Sequence, residues 1–235
     1  MRPERVGAAL GVGALGVWCA PAAAPVFPPL ARAFGVPLRL NRSNGIALTF
    51  DDGPHPEGTP AVLEQLEQAG VRATFYLVGE QVARRPALAA EIAAAGHEIG
   101  VHGYRHVLLL RRTPRGLAAD FDRAAAVIGE ATGQASLSYR PPYGVFSLAG
   151  LRLARRRWSP LLWSRWGRDW EAKATPGSIA ARATRDLRAR DVVLLHDADD
   201  YSSAGSWRRT VAALPAVLDA LLATGEPLVT VSRPA

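Results

Sequence analysis

From residue 46 onward, short runs rich in β-forming residues alternate with longer stretches of helical pattern. This alternation favours parallel strands joined by right-handed crossover helices. We therefore expect an α/β fold of about seven parallel strands. Periodicity alone leaves two arrangements open, an open doubly wound sheet and an incomplete barrel. The predicted strands are residues 46–50, 73–78, 98–102, 137–140, 161–164, 192–196 and 228–231.

Capping residues mark where several of the intervening helices begin and end. Thr59, Thr113 and Thr175 each precede a proline, which pairs a side-chain cap with a residue suited to the first helical turn. Gly70 and Gly96 follow helical runs, at the position where a left-handed residue often ends a helix.

The first 30 residues differ from everything after them. Arg2 and Arg5 precede an uncharged apolar run over residues 6–20, and proline-rich sequence follows. This is the layout of an export signal, although the same segment could be retained as a membrane anchor. We expect residues 1–30 to be a signal peptide or anchor, 31–43 a linker and 44–235 the main domain. The protein would then be secreted, or held at the outer face of the cytoplasmic membrane.

The chain of 235 residues carries a net charge of +7, almost wholly from arginine. A basic surface suits an anionic partner such as a cell-wall polymer, lipid headgroups or nucleic acid. No basic stripe with interleaved aromatic residues and no known nucleic-acid module is present, so we expect no nucleic-acid partner. Cys19 is the only cysteine, which excludes an intramolecular disulfide.

Two adjacent carboxylates, Asp51 and Asp52, follow the first predicted strand and precede a Gly-Pro turn. An isolated pair of this kind more often caps a turn than performs chemistry. The turn could also bring both carboxylates to one point, where a cation or a proton must offset their repulsion. Other polar residues also lie at or just beyond predicted strand ends, and in a barrel such ends converge on one rim. These residues are His102, Arg140, Asp169 and His196.

His102 and His106 are four residues apart. If residues 102–106 form one helical turn, both imidazoles lie on the same face and can bind one ion. Such a pair is a weak signal, because core and surface histidines are common. Together with Asp52, however, it forms a set of two histidines and one carboxylate, which suits zinc in hydrolases or iron(II) in oxygenases.

Five short motifs occur in a characteristic order along the chain: TFDDGP at 49–54, HGYRH at 102–106, RPPYG at 140–144, DW at 169–170 and LLH at 194–196. Through them the chain resembles the polysaccharide deacetylase family, the NodB-homology carbohydrate esterases of family 4. The resemblance spans roughly residues 45–231. It implies a deformed (β/α) barrel and metal-dependent removal of N- or O-acetyl groups from sugars.

The resemblance also implies roles for individual residues. Asp52, His102 and His106 would bind the metal, and Asp51 would act as general base. Arg140 matches the family position that holds the base.

The remaining matched positions concern the leaving group and the acetyl group. His196 would be the general acid, with Asp169 orienting and charging it. The backbone N–H of Tyr143 would stabilise the oxyanion together with the metal. Trp170 and Leu194 would enclose the acetyl methyl, although ordinary core packing stays open for both.

The resemblance therefore predicts a metal-dependent hydrolase that removes acetyl groups from N-acetylated sugars of a cell-envelope polysaccharide or oligosaccharide, peptidoglycan or chitin-like. One divalent ion is expected, zinc by default, with cobalt, nickel or another metal able to replace it. Two alternatives stay open, namely a deacylase of a lipid-linked sugar and an inert polysaccharide-binding protein of the same fold.

Two departures from the family pattern bear on these expectations. Gly103 stands where a serine or threonine is common, so a hydroxyl that could brace the loop is missing. Residues 164–168 read SRWGR where relatives often place aspartates. This more cationic and aromatic rim predicts a more anionic or differently bound substrate.

Overall fold

The computed structural model of the protein describes residues 19–41 and 44–232. Its strands are β1 Ala47–Asp51, β2 Thr74–Leu77, β3 Glu98–Val101, β4 Ser138–Tyr139, β5 Ser159–Pro160, β6 Arg165–Trp166 and β7 Val192–His196. The α-helices are α1 Pro28–Ala33, α2 Gly58–Gln68, α3 Gly79–Arg84, α4 Pro86–Ala94, α5 Pro114–Thr132, α6 Leu148–Arg155, α7 Pro176–Ala183 and α8 Ser206–Leu222. Short 3₁₀ helices occupy Ala20–Ala23, Leu109–Arg111 and Pro142–Gly144.

The seven strands form one parallel sheet in the order β5-β4-β3-β2-β1-β7-β6. The two edge strands, β5 and β6, follow each other in the chain and are joined by residues 161–164. A residue spans at most about 3.6 Å, so this connection holds the two edges within about 18 Å of each other. The sheet therefore curls into a deformed, incomplete barrel, which resolves the choice left open by the sequence.

The ends of the helices confirm most of the capping predictions. The side chains of Thr113 and Thr175 each accept a hydrogen bond from the backbone three residues on, at 3.2 Å. Gly70 and Gly96 have φ angles of 65° and 81° and lie two residues after the final residues of α2 and α4, just beyond the C-caps. The cap predicted at Thr59 is wrong, because α2 begins at Gly58 and the Thr59 hydroxyl donates to the Asp197 carboxylate instead.

The strand predicted at 161–164 is wrong, because this segment crosses between the two edges of the barrel. The side chain of Arg140 donates hydrogen bonds to two carbonyl oxygens of this segment, Leu161 O at 3.3 Å and Leu162 O at 2.9 Å. The amide of Leu162 donates to Pro37 O rather than to a neighbouring strand. The strands at this place are the two-residue β5 and β6 on either side of it.

The strand predicted at 228–231 is also wrong. Only Leu228 makes a bridge, parallel to Ile46. Farther on, the amide of Val231 donates to the Thr74 hydroxyl at 3.1 Å, and the amide of Ser232 donates to Glu98 at 2.9 Å. Since these partners lie at the starts of β1, β2 and β3, the segment crosses the barrel at the amino ends of its strands instead of extending the sheet.

The predicted signal peptide or anchor lies outside the described residues over 1–18. Across the part of the chain that is described, no helix combines the length and apolar character needed to cross a bilayer. Residues 31–41, predicted as part of a linker, pack against the domain. Ala31, Val36 and Leu40 are buried in the core, and the Leu40 amide donates to Arg190 O at 2.9 Å.

Candidate active site

The predicted site residues converge at the carboxyl ends of the strands. They surround a cavity of about 250 Å³. Arg140 and Asp169 are fully buried, and they contact Asp51 and His196, respectively, which line the cavity. The other eight line the cavity itself: Asp51, Asp52, His102, His106, Tyr143, Trp170, Leu194 and His196.

Asp52, His102 and His106 form a group that fits a metal ion. Asp52 Oδ1 lies 3.4 Å from His102 Nε2 and 3.2 Å from His106 Nε2. The three ligand atoms all lie within 4.8 Å of one another, and Asp52 Oδ1 is buried without a hydrogen-bond donor among the described residues. Tetrahedral sites with bonds of about 2.0–2.2 Å place neighbouring ligand atoms about 3.3–3.6 Å apart. The donor set and its spacing therefore suit one divalent ion.

The protonation states of this group also suit a metal. Burial opposes ionisation of Asp52, but the two imidazoles beside it and the charge of His196 hold its pKa well below its ordinary value. His102 Nδ1 lies 2.8 Å from Arg140 O. A carbonyl oxygen can only accept, so Nδ1 carries the proton and leaves the Nε2 lone pair for a ligand.

His106 is held differently, by aromatic rings. Its Nδ1 is buried and has no hydrogen-bond partner among the described residues. Tyr201 stacks on one side of the imidazole, with ring centroids 4.2 Å apart, and Tyr143 meets it edge-on at 4.5 Å. The Tyr201 hydroxyl donates to Glu80 at 2.8 Å, which anchors that ring to helix α3.

Residues 102–106 do not form the helical turn that was one possibility, because the two histidines lie on an irregular loop after β3. Gly103 adopts a φ of 85°, a conformation that glycine tolerates without strain. Asp120 accepts hydrogen bonds from the amides of Tyr104 at 2.8 Å and Arg105 at 3.4 Å. A carboxylate from helix α5 thus braces the loop, in which Gly103 lacks the hydroxyl that is common at this position.

Asp51 lies beside the metal group but is bound by Arg140. Arg140 Nη1 donates to Asp51 Oδ1 at 2.7 Å and to the Thr49 hydroxyl at 2.8 Å. Its guanidinium also packs 4.1 Å from the centre of the Tyr76 ring. Asp51 Oδ2 lies 3.8 Å from His102 Nε2. One oxygen of Asp51 is therefore fixed by the arginine, while the other is left near the ligand group.

His196 pairs with Asp51 in register across β7 and β1, so both side chains reach the same cavity. Its Nδ1 lies 2.9 Å from Asp169 Oδ1, while its amide and the Thr210 hydroxyl donate to Asp169 Oδ2 at 2.7 and 2.8 Å. Burial alone would lower the pKa of His196, but the charge and hydrogen bond of Asp169, with smaller effects of Asp52 and Asp51, raise it to about 10. The imidazole is therefore protonated at neutral pH.

The remaining predicted residues form the wall and the mouth of the cavity. The Tyr143 side chain is exposed, and its backbone has φ 60° and ψ 6°. The Tyr143 amide has no acceptor in the described structure, so it is free to donate to a ligand. The Trp170 ring meets His196 edge-on at 5.4 Å, and the almost fully buried Leu194 lines the wall.

Several residues around the site were not among the predicted site residues. Tyr201 lies five residues after His196, and a loop that leaves β7 there must pass the rim, so its position was a usable clue. Trp163 and Trp166 line the cavity from the crossing segment and β6. Thr210 lies on helix α8, and only the folded structure shows that its hydroxyl reaches Asp169.

Asp197, which follows His196, explains why the turn after Asp52 requires glycine. A Cβ atom on Gly53 would lie only 2.4 Å from Asp197 Oδ2. Burial raises the pKa of the Asp197 carboxyl to about 7, against the opposing hydrogen bond from Thr59.

The two histidines outside the predicted site have structural contacts. His97 Nδ1 accepts from the amide of Ala73 at 3.1 Å, and burial lowers its pKa to about 4. His55, Asp199 and Asp200 form a second group of possible ligands. However, His55 Nδ1 accepts from the amide of Gly58 at 2.9 Å, so its Nε2 carries the proton and faces Asp199 at 3.3 Å. This group is therefore a poorer metal site than Asp52, His102 and His106.

The chain is similar in sequence to known carbohydrate deacetylases. The sequence profile of the family described as polysaccharide deacetylase matches residues 40–156. A peptidoglycan-N-acetylglucosamine deacetylase of Bacillus cereus is 36% identical over 196 residues, which cover 82% of this chain and 89% of the relative. A chitooligosaccharide deacetylase of Azorhizobium caulinodans is 32% identical over 196 residues, covering 80% and 92%.

A solved structure shows the same fold. The crystal structure of the Bc1960 peptidoglycan N-acetylglucosamine deacetylase, in complex with an N-oxidanyl-benzamide, superposes with a TM-score of 0.77 at 27% identity. The match covers 85% of this chain and 92% of that one. The chain therefore belongs to the polysaccharide deacetylase family.

Proposed function

We propose that the protein is a metal-dependent hydrolase that removes the acetyl group from N-acetylated sugars of a cell-envelope glycan, peptidoglycan or chitin-like. The observation that carries the proposal is the arrangement inside one cavity. A three-ligand group, an arginine-bound carboxylate, Asp51, and a protonated imidazole, His196, all line this cavity. The names of the two relatives, a peptidoglycan and a chitooligosaccharide deacetylase, support both substrate types.

Asp52, His102 and His106 would hold the ion, for which zinc is the default because two imidazoles and a carboxylate suit it. A bound divalent ion supplies an activated water and polarises the acetyl carbonyl. Asp51 takes the proton of the attacking water as the new C–O bond forms. Arg140 keeps that carboxylate fixed, since it occupies one oxygen and leaves the other free.

Other residues of the cavity act on the carbonyl oxygen and on the leaving group. The Tyr143 amide donates to the carbonyl oxygen as negative charge develops there. His196 then gives its Nε2 proton to the sugar nitrogen as the C–N bond breaks, because Asp169 holds Nδ1. The products are acetate and a free amino sugar. Trp170 and Leu194 would pack against the acetyl methyl group.

We further propose that the protein works outside the cytoplasm, secreted or anchored through residues 1–30. The charged start and apolar run of that segment support this location. An inert binding protein would have no need for both a free base and a protonated acid, so the site favours an enzyme.

The test of the proposed function is acetate release by the metal-reconstituted protein. We expect acetate from N-acetylglucosamine oligomers or from peptidoglycan fragments. Acetylated xylan serves as the comparison that reports O-acetyl cleavage. No acetate from any of these with zinc, cobalt or nickel would contradict the proposal.

Removal of a metal ligand should abolish metal binding and activity together. His102→Ala deletes an Nε2 that lies 3.4 Å from Asp52 Oδ1, and we expect loss of the single tightly bound zinc. His55→Ala is the matched control, because that imidazole caps helix α2 and lies outside the proposed ligand group. Zinc stoichiometry by mass spectrometry or calorimetry checks this. Unchanged stoichiometry in His102→Ala would contradict the assignment of the ligands.

Replacement of Asp169 should shift the pH dependence of activity. The acid is active below the raised pKa of His196, about 10, and is lost as the pH rises through that value. Asp169→Asn removes the neighbouring charge, so we expect the alkaline limb of the pH profile of kcat to move down by about 1–3 pH units. The exposed Asp122, changed to Asn, is the control. An unmoved alkaline limb would show that Asp169 does not charge the acid.

The pairing of His196 with Asp169 also predicts how the stability of the fold depends on pH. His196 has a higher pKa in the folded protein than its ordinary value of 6.5. The stabilisation from its protonated form is therefore complete below about pH 6.5 and is lost as the pH rises towards 10.

A further inference from the structure

Two adjoining clefts on the protein surface, of about 860 and 830 Å³, are rich in arginine. They adjoin along residues 35–41, because four residues of that segment line both. None of the residues proposed for metal binding or catalysis lines either cleft. Among the described residues, the lining of the two clefts includes no carboxylate and six arginines, namely Arg32, Arg39, Arg155, Arg156, Arg157 and Arg190. We call this surface the arginine face.

Only two of the six arginines pair with a carboxylate in the part of the chain that the structure describes. Arg39 lies 2.5 Å from the buried Asp191, which also pairs with Arg165 at 3.2 Å. Arg157 lies 2.6 Å from the exposed Asp122. The arginine face therefore keeps a net positive charge that suits an anionic partner.

The other four arginines have no counter-charge among the described residues. Arg155 and Arg190 donate to backbone carbonyl groups of residues 34, 35 and 40. Arg32 and Arg156 are exposed, and their side chains make no hydrogen bond or ion pair with any described residue. These two guanidinium groups can therefore bind an external anion without giving up a contact inside the protein.

Exposed apolar side chains lie on the same surface. Val26 and Leu137 are 69% and 58% exposed, and each lines one of the clefts. Phe27, which is 55% exposed, lies between the lining residues Val26 and Pro28. These are three of the five large apolar side chains that are exposed in the described structure, so such side chains concentrate here. Arginines beside exposed apolar groups are typical of surfaces that bind the headgroup region of an anionic bilayer.

The sequence before the arginine face favours the same partner. An uncharged apolar run occupies residues 6–20, and only five residues separate it from Val26. Six residue steps span at most about 22 Å. An apolar run held in a bilayer would therefore keep Val26 close to the lipid surface.

We propose that the arginine face docks the folded domain onto a membrane surface of anionic phospholipids. Arg32 and Arg156 bind lipid phosphate groups, and Val26 and Phe27 enter the headgroup region. The inference goes beyond the proposed function and does not depend on the reaction in the active site. A soluble anionic polymer would be attracted by the arginines, but it would gain nothing from the exposed apolar side chains.

The test measures binding of the full-length chain to lipid vesicles by titration. Vesicles of phosphatidylcholine alone are compared with vesicles of equal parts phosphatidylcholine and phosphatidylglycerol. Arg32→Gln/Arg156→Gln removes two charges that have no partner in the described structure. Arg115→Gln/Arg185→Gln, which changes two exposed arginines that line neither cleft, is the charge-matched control.

A second pair of variants tests the apolar contribution. Val26→Ser/Phe27→Ser removes the two apolar side chains, and Leu222→Ser, 51% exposed at the end of α8, is the control. All variants keep residues 1–20, so differences between them report the folded domain.

We expect Arg32→Gln/Arg156→Gln to weaken binding to the anionic vesicles about 10–30-fold, because each arginine near an anionic surface contributes about a factor of five. Added salt should reduce this difference, and binding to the neutral vesicles should not change. Val26→Ser/Phe27→Ser should weaken binding to the anionic vesicles about 3–10-fold. Both controls should bind like the unmodified chain.

Hydrogen exchange on the vesicle-bound chain reports docking of the domain independently of the affinity that residues 1–20 contribute. We expect residues 26–41 to exchange more slowly on anionic than on neutral vesicles. Arg32→Gln/Arg156→Gln should abolish this difference.

Other outcomes overturn the proposal. Equal binding of all variants, with equal exchange of residues 26–41 on both kinds of vesicle, would show that the face does not dock. An effect of the arginine variant on binding to soluble polyglutamate, with none of Val26→Ser/Phe27→Ser on vesicles, would identify a polymer contact instead. Acetate release from soluble N-acetylglucosamine oligomers should be the same in every variant. Its absence in the unmodified protein would contradict the proposed function and would leave the vesicle result standing.

Discussion

Asp51→Asn should lower kcat by about 10²–10⁴-fold while the protein keeps one bound metal ion. The asparagine amide has nearly the shape of the carboxylate but cannot accept the proton of the attacking water. Asp51 is not a member of the proposed ligand group, so the metal should be unaffected. Acetate release and zinc content, measured on the same sample, check both parts.

The matching variant, Asp52→Asn, should give a different pattern. Its carboxylate oxygen lies 3.2–3.4 Å from both imidazoles, so the loss of its charge should weaken zinc binding first. Activity should then return in part with excess zinc, whereas added zinc should not rescue Asp51→Asn. Full activity in Asp51→Asn would overturn the assignment of this residue as the base.

Arg140→Met should lower the free energy of unfolding by about 3–5 kcal/mol, because it leaves the buried Asp51 carboxylate without its cation. The guanidinium also holds the carbonyl groups of Leu161 and Leu162, in the segment that joins the two edges of the barrel. Denaturant unfolding of the metal-free protein measures the change.

Two comparisons make this result specific. Arg185→Met, which removes an arginine from an exposed ion pair, should change stability by no more than about 0.5 kcal/mol. The double variant Asp51→Asn/Arg140→Met should be more stable than the sum of the single effects predicts, because no unpaired charge remains. Additive effects would show that the two side chains do not depend on each other.

The sequence predicted which side chains converge on one cavity better than it predicted the bounds of the strands. The positions of Asp51, His102 and His196 followed from strands that are five, four and five residues long and almost wholly buried in the structure. Such buried parallel strands are visible as hydrophobic runs.

The errors have a common physical cause, since they occur where side chains replace backbone partners. Residues 161–164 have the composition of a strand, but the carbonyl groups of Leu161 and Leu162 accept hydrogen bonds from the Arg140 side chain. Residues 102–106 form a loop because Asp120 binds two of its amides. Hydrogen bonds between residues far apart in the chain leave no local pattern. The same applies to Tyr201, whose stacking on His106 depends on how the loop after β7 folds back.

The central claim is that two adjacent carboxylates have separate tasks, Asp52 holding the metal and Asp51 taking a proton. Anomalous diffraction from crystals of the zinc-loaded protein tests it most directly. We predict one zinc peak about 2.0–2.2 Å from Asp52, His102 and His106, with Asp51 outside bonding distance and still paired with Arg140. A zinc ion bonded to Asp51, or one held only by His55, Asp199 and Asp200, would contradict the account.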